Sequence, residues 1–160
     1  MSAKHHEKFV DFLVSLKENH NRAALATLRR GLGKPLETTY CMHPYIMEWV
    51  GNLHPEKRKM YYLVASLFAY YPEHTEDQVN GGDICRQIAN ARSSGTMDKR
   101  FIVLLDSDER TFAKHLQTMV GLAKSSGIKI NWKRLLSDLC YWTHKDGTVK
   151  FNWSKSYWIK

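Results

Sequence analysis

Apolar residues recur three and four positions apart along most of the chain, which is the spacing of one face of an α-helix. The pattern is clearest after Pro55, where a continuous apolar stripe is formed by Met60, Leu63, Val64, Leu67, Phe68 and Tyr71. A stripe of this length predicts a helix whose apolar face is central to a hydrophobic core. The alternation typical of β-strands is nearly absent. We therefore predict an all-α protein.

Capping and breaking residues divide the first half of the chain into helices, and about eight to nine are expected in all. The first is predicted over residues 4–20. Asn21 is expected to cap a short second helix that Gly31 ends. Pro44 and Pro55 each suit the first turn of a helix. Pro72 ends the helix that carries the long apolar stripe.

The second half is predicted to contain shorter helices. We expect helices over 84–91 and 97–105, another from Ser107 to Gly127, and one capped by Asn131. The tail FNWSKSYWIK is rich in tryptophan and is expected to pack back on this half. The sequence Ser-Ser-Gly at 93–95 breaks the chain between helices. We therefore predict two small bundle-like lobes, an N-terminal helical lobe over 1–92 and a C-terminal helical lobe over 93–160.

Composition narrows the functional classes. The 160 residues carry a net charge of +8 and are 43% hydrophobic, which fits a globular protein with an affinity for polyanions. No apolar run approaches the about 20 residues that span a bilayer, and the N-terminal sequence lacks a signal peptide. The three cysteines do not form the even, regular set of a disulfide framework. We expect a cytoplasmic protein that does not bind membranes.

Three separated segments, 22–34, 86–100 and 110–134, are basic, and Asp98 is their only acidic residue. The third contains six basic side chains and no Asp or Glu. Solvated helix faces usually mix charges, because pairs of opposite sign at i,i+4 stabilise the helix. Two interpretations therefore stay open. The segments bind an external anion, or they are ordinary surfaces whose acidic partners lie on other helices.

The sequence offers little support for a metal or catalytic site. Cys41 and His43, like Cys140 and His144, lack the second half of a zinc motif, and Cys85 and Cys140 are expected in the core. The sequence GLGK at 31–34 lacks the spacer of a phosphate-binding loop. No nucleophile elbow or HExxH motif is present. We expect no cofactor and no metal.

One carboxylate cluster can be compared with a nuclease site. Asp106, Asp108 and Glu109 are the kind of side chains that hold Mg²⁺ in metal-dependent nucleases. The same residues stand at the predicted start of a helix, where acidic side chains cap the backbone N–H groups. Capping is the simpler interpretation, and we predict no enzyme activity.

Three blocks together resemble a known family. They are RAALATLRRGLGKPL at 22–36, LVASLFAYYPEH at 63–74 and KRFIVLLDSDERTFAKHLQTMVGLAKSSGIKINWKRLLSDLCYW at 99–142. In their order and spacing they resemble the small subunit of the type I-E CRISPR Cascade complex, the CasB family. No single motif is diagnostic, and the specificity lies in the agreement of the three blocks.

The resemblance implies an all-helical, two-lobed, non-catalytic protein without cofactors. Its partners would be crRNA and target DNA through backbone contacts, the large subunit and backbone proteins of Cascade, and a second copy of itself. It would help to hold the guide–target duplex and the displaced DNA strand (the R-loop) in antiviral defence. An alternative is a free-standing helical DNA- or RNA-binding protein without an obligate assembly.

The candidate nucleic-acid-binding residues come from the basic segments and from their positions in the family's blocks. Arginine suits this role because its guanidinium holds phosphate through paired hydrogen bonds. No helix start has the composition of base readout, so we expect contacts to the nucleic-acid backbone. The candidates are Arg22, Arg29, Arg30, Lys34, Arg86, Arg100, Lys114, Lys124, Lys133 and Arg134.

Overall fold

The computed structural model describes residues 2–35, 38–93 and 95–159. Within these ranges the chain contains no β-strand, which confirms the all-α prediction. A short 3-10 helix, Tyr40–Met42, precedes the third α-helix. The nine α-helices of the described residues are α1 (Ser2–Glu18), α2 (Arg22–Arg29), α3 (His43–Val50), α4 (Pro55–Tyr70), α5 (Gly81–Arg92), α6 (Met97–Asp106), α7 (Glu109–Ser125), α8 (Trp132–Cys140) and α9 (Thr148–Trp158).

The helices form two compact units, Met1–His74 and Thr75–Lys160. The boundary lies before α5, whereas we expected it after α5, between residues 92 and 93. The physical reason is that α5 packs against α9, α6 and α7 of the second unit. The expected break does separate two helices, since Ser93 and Gly95 have positive φ angles of 53° and 72°. Ser94 of that break lies outside the described residues.

The first unit is built around α4. All nine residues from Tyr61 to Ala69 are buried, so this part of the helix is covered on every side rather than along one stripe, whereas Pro55 and Glu56 at the start of the helix are exposed. The helices α2 and α3 pack against it. Five of the six residues of the predicted apolar stripe are buried, and Met60 at its start is half-buried. A helical segment that is buried all round needs, on every face, residues that are apolar or whose polar groups form hydrogen bonds within the protein.

Local capping chemistry explains where several helices begin. The Asn21 side chain accepts a hydrogen bond from the backbone N–H of Ala24 at 3.1 Å, and Asn131 accepts one from Arg134 at 3.0 Å. Both predicted caps are thereby confirmed. Pro44 and Pro55 stand in the first turns of α3 and α4, also as predicted.

Two helix starts differ from prediction by a few residues. Asp108, not Ser107, caps α7, and the Ser107 hydroxyl instead donates to the carbonyl of Leu104 at 2.7 Å. The helix α5 begins at Gly81 because Asn80 and Asp83 form a capping box, each side chain accepting from the other's backbone N–H at 2.9 Å. The two glycines at its start are poor helix formers, and for this reason the sequence did not predict a helix start at this position.

The second unit has an aromatic core. Trp132, Trp153 and Phe101 have no exposed surface. The Phe101 and Tyr157 rings stack with centroids 4.3 Å apart. The tail therefore packs into this half as predicted, as the helix α9. Among the described residues, none of the helices combines the length and the apolar character needed to cross a membrane.

Candidate nucleic-acid interface

The first basic segment is an exposed surface built on a short helix. Ala24 and Leu28 bury one side of α2, which packs against α4. The four candidate cations of this segment are all exposed: Arg22, Arg29, Arg30 and Lys34. The segment contains no Asp or Glu, and no acidic side chain of the described ranges forms an ion pair with any of the four. We call these four residues the α2 cations.

A structural role for part of this charge is also visible. Arg29 ends α2 and Arg30 is its C-cap residue. Cations near a helix C-terminus interact favourably with the partial negative charge of the last carbonyl groups. That interaction is worth only about 0.3–1 kcal/mol at an exposed site, and it leaves the guanidinium hydrogen bonds available to an external anion.

In the second basic segment, one candidate arginine makes a structural hydrogen bond and the other is exposed. The Arg86 guanidinium donates a hydrogen bond to the carbonyl oxygen of Ile159 at 2.5 Å and so ties α5 to the end of α9. Arg100 is exposed, although its neighbour Phe101 is fully buried. Arg100 therefore does not turn inward to pair with an acid in the core.

The third basic segment begins with α7, which has the predicted amphipathic pattern. Its apolar ladder is buried, and its cations Lys114 and Lys124 are exposed. The buried side anchors the helix in the second unit, and the exposed side carries charge into solvent. The buried ladder consists of Phe112, Leu116, Met119, Val120 and Ala123.

At the end of the third segment, the basic side chains have acidic partners within the protein, which is the second of the two interpretations of the sequence. The Lys133 ammonium lies 3.2 Å from a carboxylate oxygen of Glu76, and the Arg134 Nε lies 3.4 Å from a carboxylate oxygen of Asp138. Burial raises the pKa of Asp138, while hydrogen bonds from Trp153 and Arg134 and the charge of Arg134 oppose that rise. These two cations are thus neutralised within the protein, by an acidic loop and by their own helix.

The carboxylate cluster has capping geometry. The Asp108 carboxylate accepts hydrogen bonds from the Thr111 N–H and hydroxyl, both at 3.0 Å. These hydrogen bonds lower the pKa of Asp108. Nowhere in the described ranges do three or more His, Cys, Asp or Glu side chains come together as metal ligands would. Asp108 therefore caps α7, which agrees with the simpler interpretation of the sequence.

The cysteines differ in environment. Cys85 is buried, as predicted, and burial raises the pKa of its thiol. Cys140 is half-buried, and Cys41 is exposed. All three are free thiols, in accord with the expectation that they form no disulfide framework.

One feature of the second unit was missed by the sequence analysis. A cavity of about 370 Å³ lies between α6 and α7, and Lys99 and Arg100 are among its lining residues. The signal available in the sequence was the adjacent pair Lys99-Arg100 on the first turn of a predicted helix. The cavity itself depends on how two helices pack, which no local pattern reveals.

Comparison with known proteins places this geometry in a family. A family model described as CRISPR-associated protein Cse2 matches residues 24–158. The curated CRISPR-associated protein Cse2 of Thermus thermophilus is 31% identical over 156 residues, covering 95% of this chain and 89% of that protein.

Solved structures share the fold. The crystal structure of CasB from Thermus thermophilus has a TM-score of 0.84 and 29% identity, covering 96% of this chain and 97% of that one. A chain in a structure described as a CRISPR RNA-guided surveillance complex has a TM-score of 0.82 and 22% identity, with coverage of 98% and 93%. The predicted resemblance to CasB is confirmed, and the chain belongs to the Cse2 family of CRISPR-associated proteins.

Proposed function

We propose that the chain is a non-catalytic, nucleic-acid-binding small subunit of a crRNA-guided CRISPR complex of the Cascade type. The observation that carries the proposal is the set of α2 cations, which are exposed and have no acidic partner among the described residues. Membership of the Cse2 family supports it, and so does the presence of this fold in an RNA-guided surveillance complex.

The proposed task is to stabilise the guide–target duplex and the displaced DNA strand. Exchange of a DNA duplex for an RNA–DNA duplex is nearly balanced in free energy, so protein contacts to the phosphates help to decide its outcome. Cations that contact phosphates give affinity without reading sequence. An exposed basic surface without a base-reading helix suits that task.

The ten candidate residues contribute unequally in this proposal. The charges of the α2 cations, Arg100 and Lys114 are exposed, and so is the charge of Lys124 on α7. Arg86, Lys133 and Arg134 are engaged with a backbone carbonyl or a carboxylate. These three must give up an internal contact before they bind a phosphate, so we assign them a smaller contribution.

The proposed partners are crRNA, target DNA, the large subunit and backbone proteins of the complex, and a second copy of this chain. The residues that contact other proteins differ from the α2 cations in this proposal. A variant of the α2 cations is therefore expected to enter the complex and to fail only in holding nucleic acid.

The decisive measurement is the R-loop lifetime in a guide-loaded complex assembled with and without this chain. We expect a longer lifetime with the chain, and loss of that gain in the variant Arg29→Glu/Arg30→Glu. The matched control is Lys4→Glu/Lys8→Glu, which changes the net charge equally at two exposed positions of α1. An unchanged lifetime despite stable incorporation would contradict the proposal. Failure of the wild-type chain to incorporate would favour a free-standing nucleic-acid-binding protein.

A further inference from the structure

The cavity between α6 and α7 has the size of a binding site. Its volume of about 370 Å³ falls in the range of pockets that enclose small ligands or inserted side chains. Both helices belong to the second unit, and each contributes apolar and basic residues to the lining. The cavity is therefore a preformed feature of one compact unit.

The floor of the cavity is aliphatic. Met97, Leu104 and Met119 lie there and are only 5%, 2% and 3% exposed. Leu122 adds a half-buried side chain. Thioether and aliphatic side chains adapt their shape to an apolar group. Among the described lining residues the only ring is the imidazole of His115, so the aromatic platform on which nucleobases stack is not found there.

The rim of the cavity is basic. Lys99 and Arg100 are exposed on α6, and His115 is half-buried on α7. None of the lining residues that the structure describes is Asp or Glu. Asp98, on the same turn of α6, accepts a hydrogen bond from the Tyr157 hydroxyl at 2.5 Å. The charge around the cavity is complementary to an anionic ligand with an apolar group.

We propose that this cavity is a docking site for an acidic segment of a partner protein. The segment inserts one large apolar side chain between α6 and α7, and its carboxylates pair with Lys99 and Arg100. An apolar anchor in a pocket surrounded by complementary charges is the arrangement that concentrates binding energy in protein interfaces. The inference stands on the cavity and its charges, independently of the α2 cations, and it assigns Arg100 to this protein contact rather than to nucleic acid.

The test uses the full chain with ¹³C-labelled methionine methyl groups. Met97 and Met119 report on the cavity, while Met42, Met47 and Met60 in the first unit serve as internal references. The probe is an acidic helical peptide of about 15 residues with one central leucine. Two matched peptides replace the leucine by serine, or every glutamate by glutamine.

We expect the acidic leucine peptide to shift the Met97 and Met119 signals saturably and to leave the references unchanged. Both matched peptides should bind at least about tenfold more weakly. The variant Thr118→Trp fills the exposed edge of the cavity and should weaken binding by at least about tenfold. Its control, Thr143→Trp, adds the same ring at an exposed position outside the lining and should bind as the wild type does.

Three outcomes would overturn the inference. One is the absence of methyl shifts up to about 1 mM acidic leucine peptide. Another is binding that Thr118→Trp leaves unchanged, in a variant whose reference signals and melting temperature match the wild type. The last is displacement of the peptide by a short DNA duplex that shifts the same two methyl signals, which would assign the cavity to nucleic acid. R-loop lifetimes of the Arg29→Glu/Arg30→Glu complex are independent of all three.

Discussion

At the scale of single residues, His6 is an unusual member of the first unit. It lies on α1 with 2% of its surface exposed, and its Nδ1 has no hydrogen-bond partner among the described residues. The pKa of His6 is lowered to about 4, mainly by burial and to a smaller extent by the charges of Lys57 and His5. The ring packs 5.5 Å from that of Tyr61 on the central helix α4. The folded state therefore holds a neutral histidine where protonation is unfavourable.

This histidine predicts a stability that depends on pH. Between pH 6.5 and about 4 the unfolded chain binds a proton at His6 that the folded chain does not bind. The free energy of unfolding should thus fall as the pH falls, by up to about 1.4 kcal/mol per pH unit in that window. Urea unfolding at several pH values measures this slope.

The variant His6→Phe should flatten that slope, because it removes the proton-binding group and keeps a ring of similar shape. The control His20→Asn removes an exposed histidine at a position with φ of 56°, which asparagine tolerates. An equal slope in wild type and His6→Phe would show that other groups cause the pH dependence.

At the scale of helices, the crossing of α5 and α9 sets the architecture of the second unit. Gly82 faces the backbone of Trp153, and Gly81 faces its indole ring, so closely that a Cβ atom on either glycine would overlap Trp153. The Trp153 ring also donates to the Asp138 carboxylate at 2.8 Å. Two adjacent glycines thus allow α9 to approach α5 directly and to place its tryptophan in the core.

The variant Gly82→Ala should destabilise the second unit although alanine is the better helix former. The added methyl group meets backbone atoms of α9, which cannot rotate away as a flexible side chain can. We expect a loss of about 3 kcal/mol or more, measured by urea unfolding with tryptophan fluorescence. Asn90→Ala, at an exposed position of α5, should be neutral or slightly stabilising. A Gly82→Ala variant as stable as the wild type would contradict this close packing.

The cations at the end of α2 and those at the start of α8 are predicted to differ in how strongly they affect the salt dependence of DNA binding. The charges of Arg29 and Arg30 are exposed, whereas Lys133 and Arg134 face Glu76 and Asp138. Under the proposed function, Arg29→Gln/Arg30→Gln should reduce the slope of log K against log salt for duplex DNA by up to about 1.8.

Lys133→Gln/Arg134→Gln serves as the comparison and should change the salt slope less, because its cations are already neutralised. Filter binding or fluorescence anisotropy between about 50 and 200 mM salt measures both slopes. The affinity loss should be similar for DNA duplexes of different sequence. A sequence-selective loss would indicate base readout and contradict contacts to the backbone.

At the scale of the whole molecule, two compact units each bury their own core and share a net charge of +8. The first unit carries the α2 cations, and the second carries Arg100, Lys114 and the cavity between α6 and α7. In our proposals, the α2 cations and Lys114 hold nucleic acid, while the cavity, with Lys99 and Arg100 at its rim, receives protein.

The sequence alone determined those features that depend on neighbouring residues. The caps Asn21 and Asn131, the proline starts and the buried face of α7 are short-range effects, because a capping side chain bonds to backbone only two or three residues away. Likewise, apolar residues that recur with a period of about 3.6 identify the buried face of a helix directly. The three blocks also sufficed to indicate the family.

Only the tertiary structure decided those features that depend on residues far apart in the chain. Glu76 neutralises Lys133, Trp153 fits against Gly81 and Gly82, and α5 consequently joins the second unit. No local pattern states which acid meets which base or how closely two helices cross. For the same reason, the sequence indicated ten candidate cations, and the fold showed that three of them are engaged within the protein.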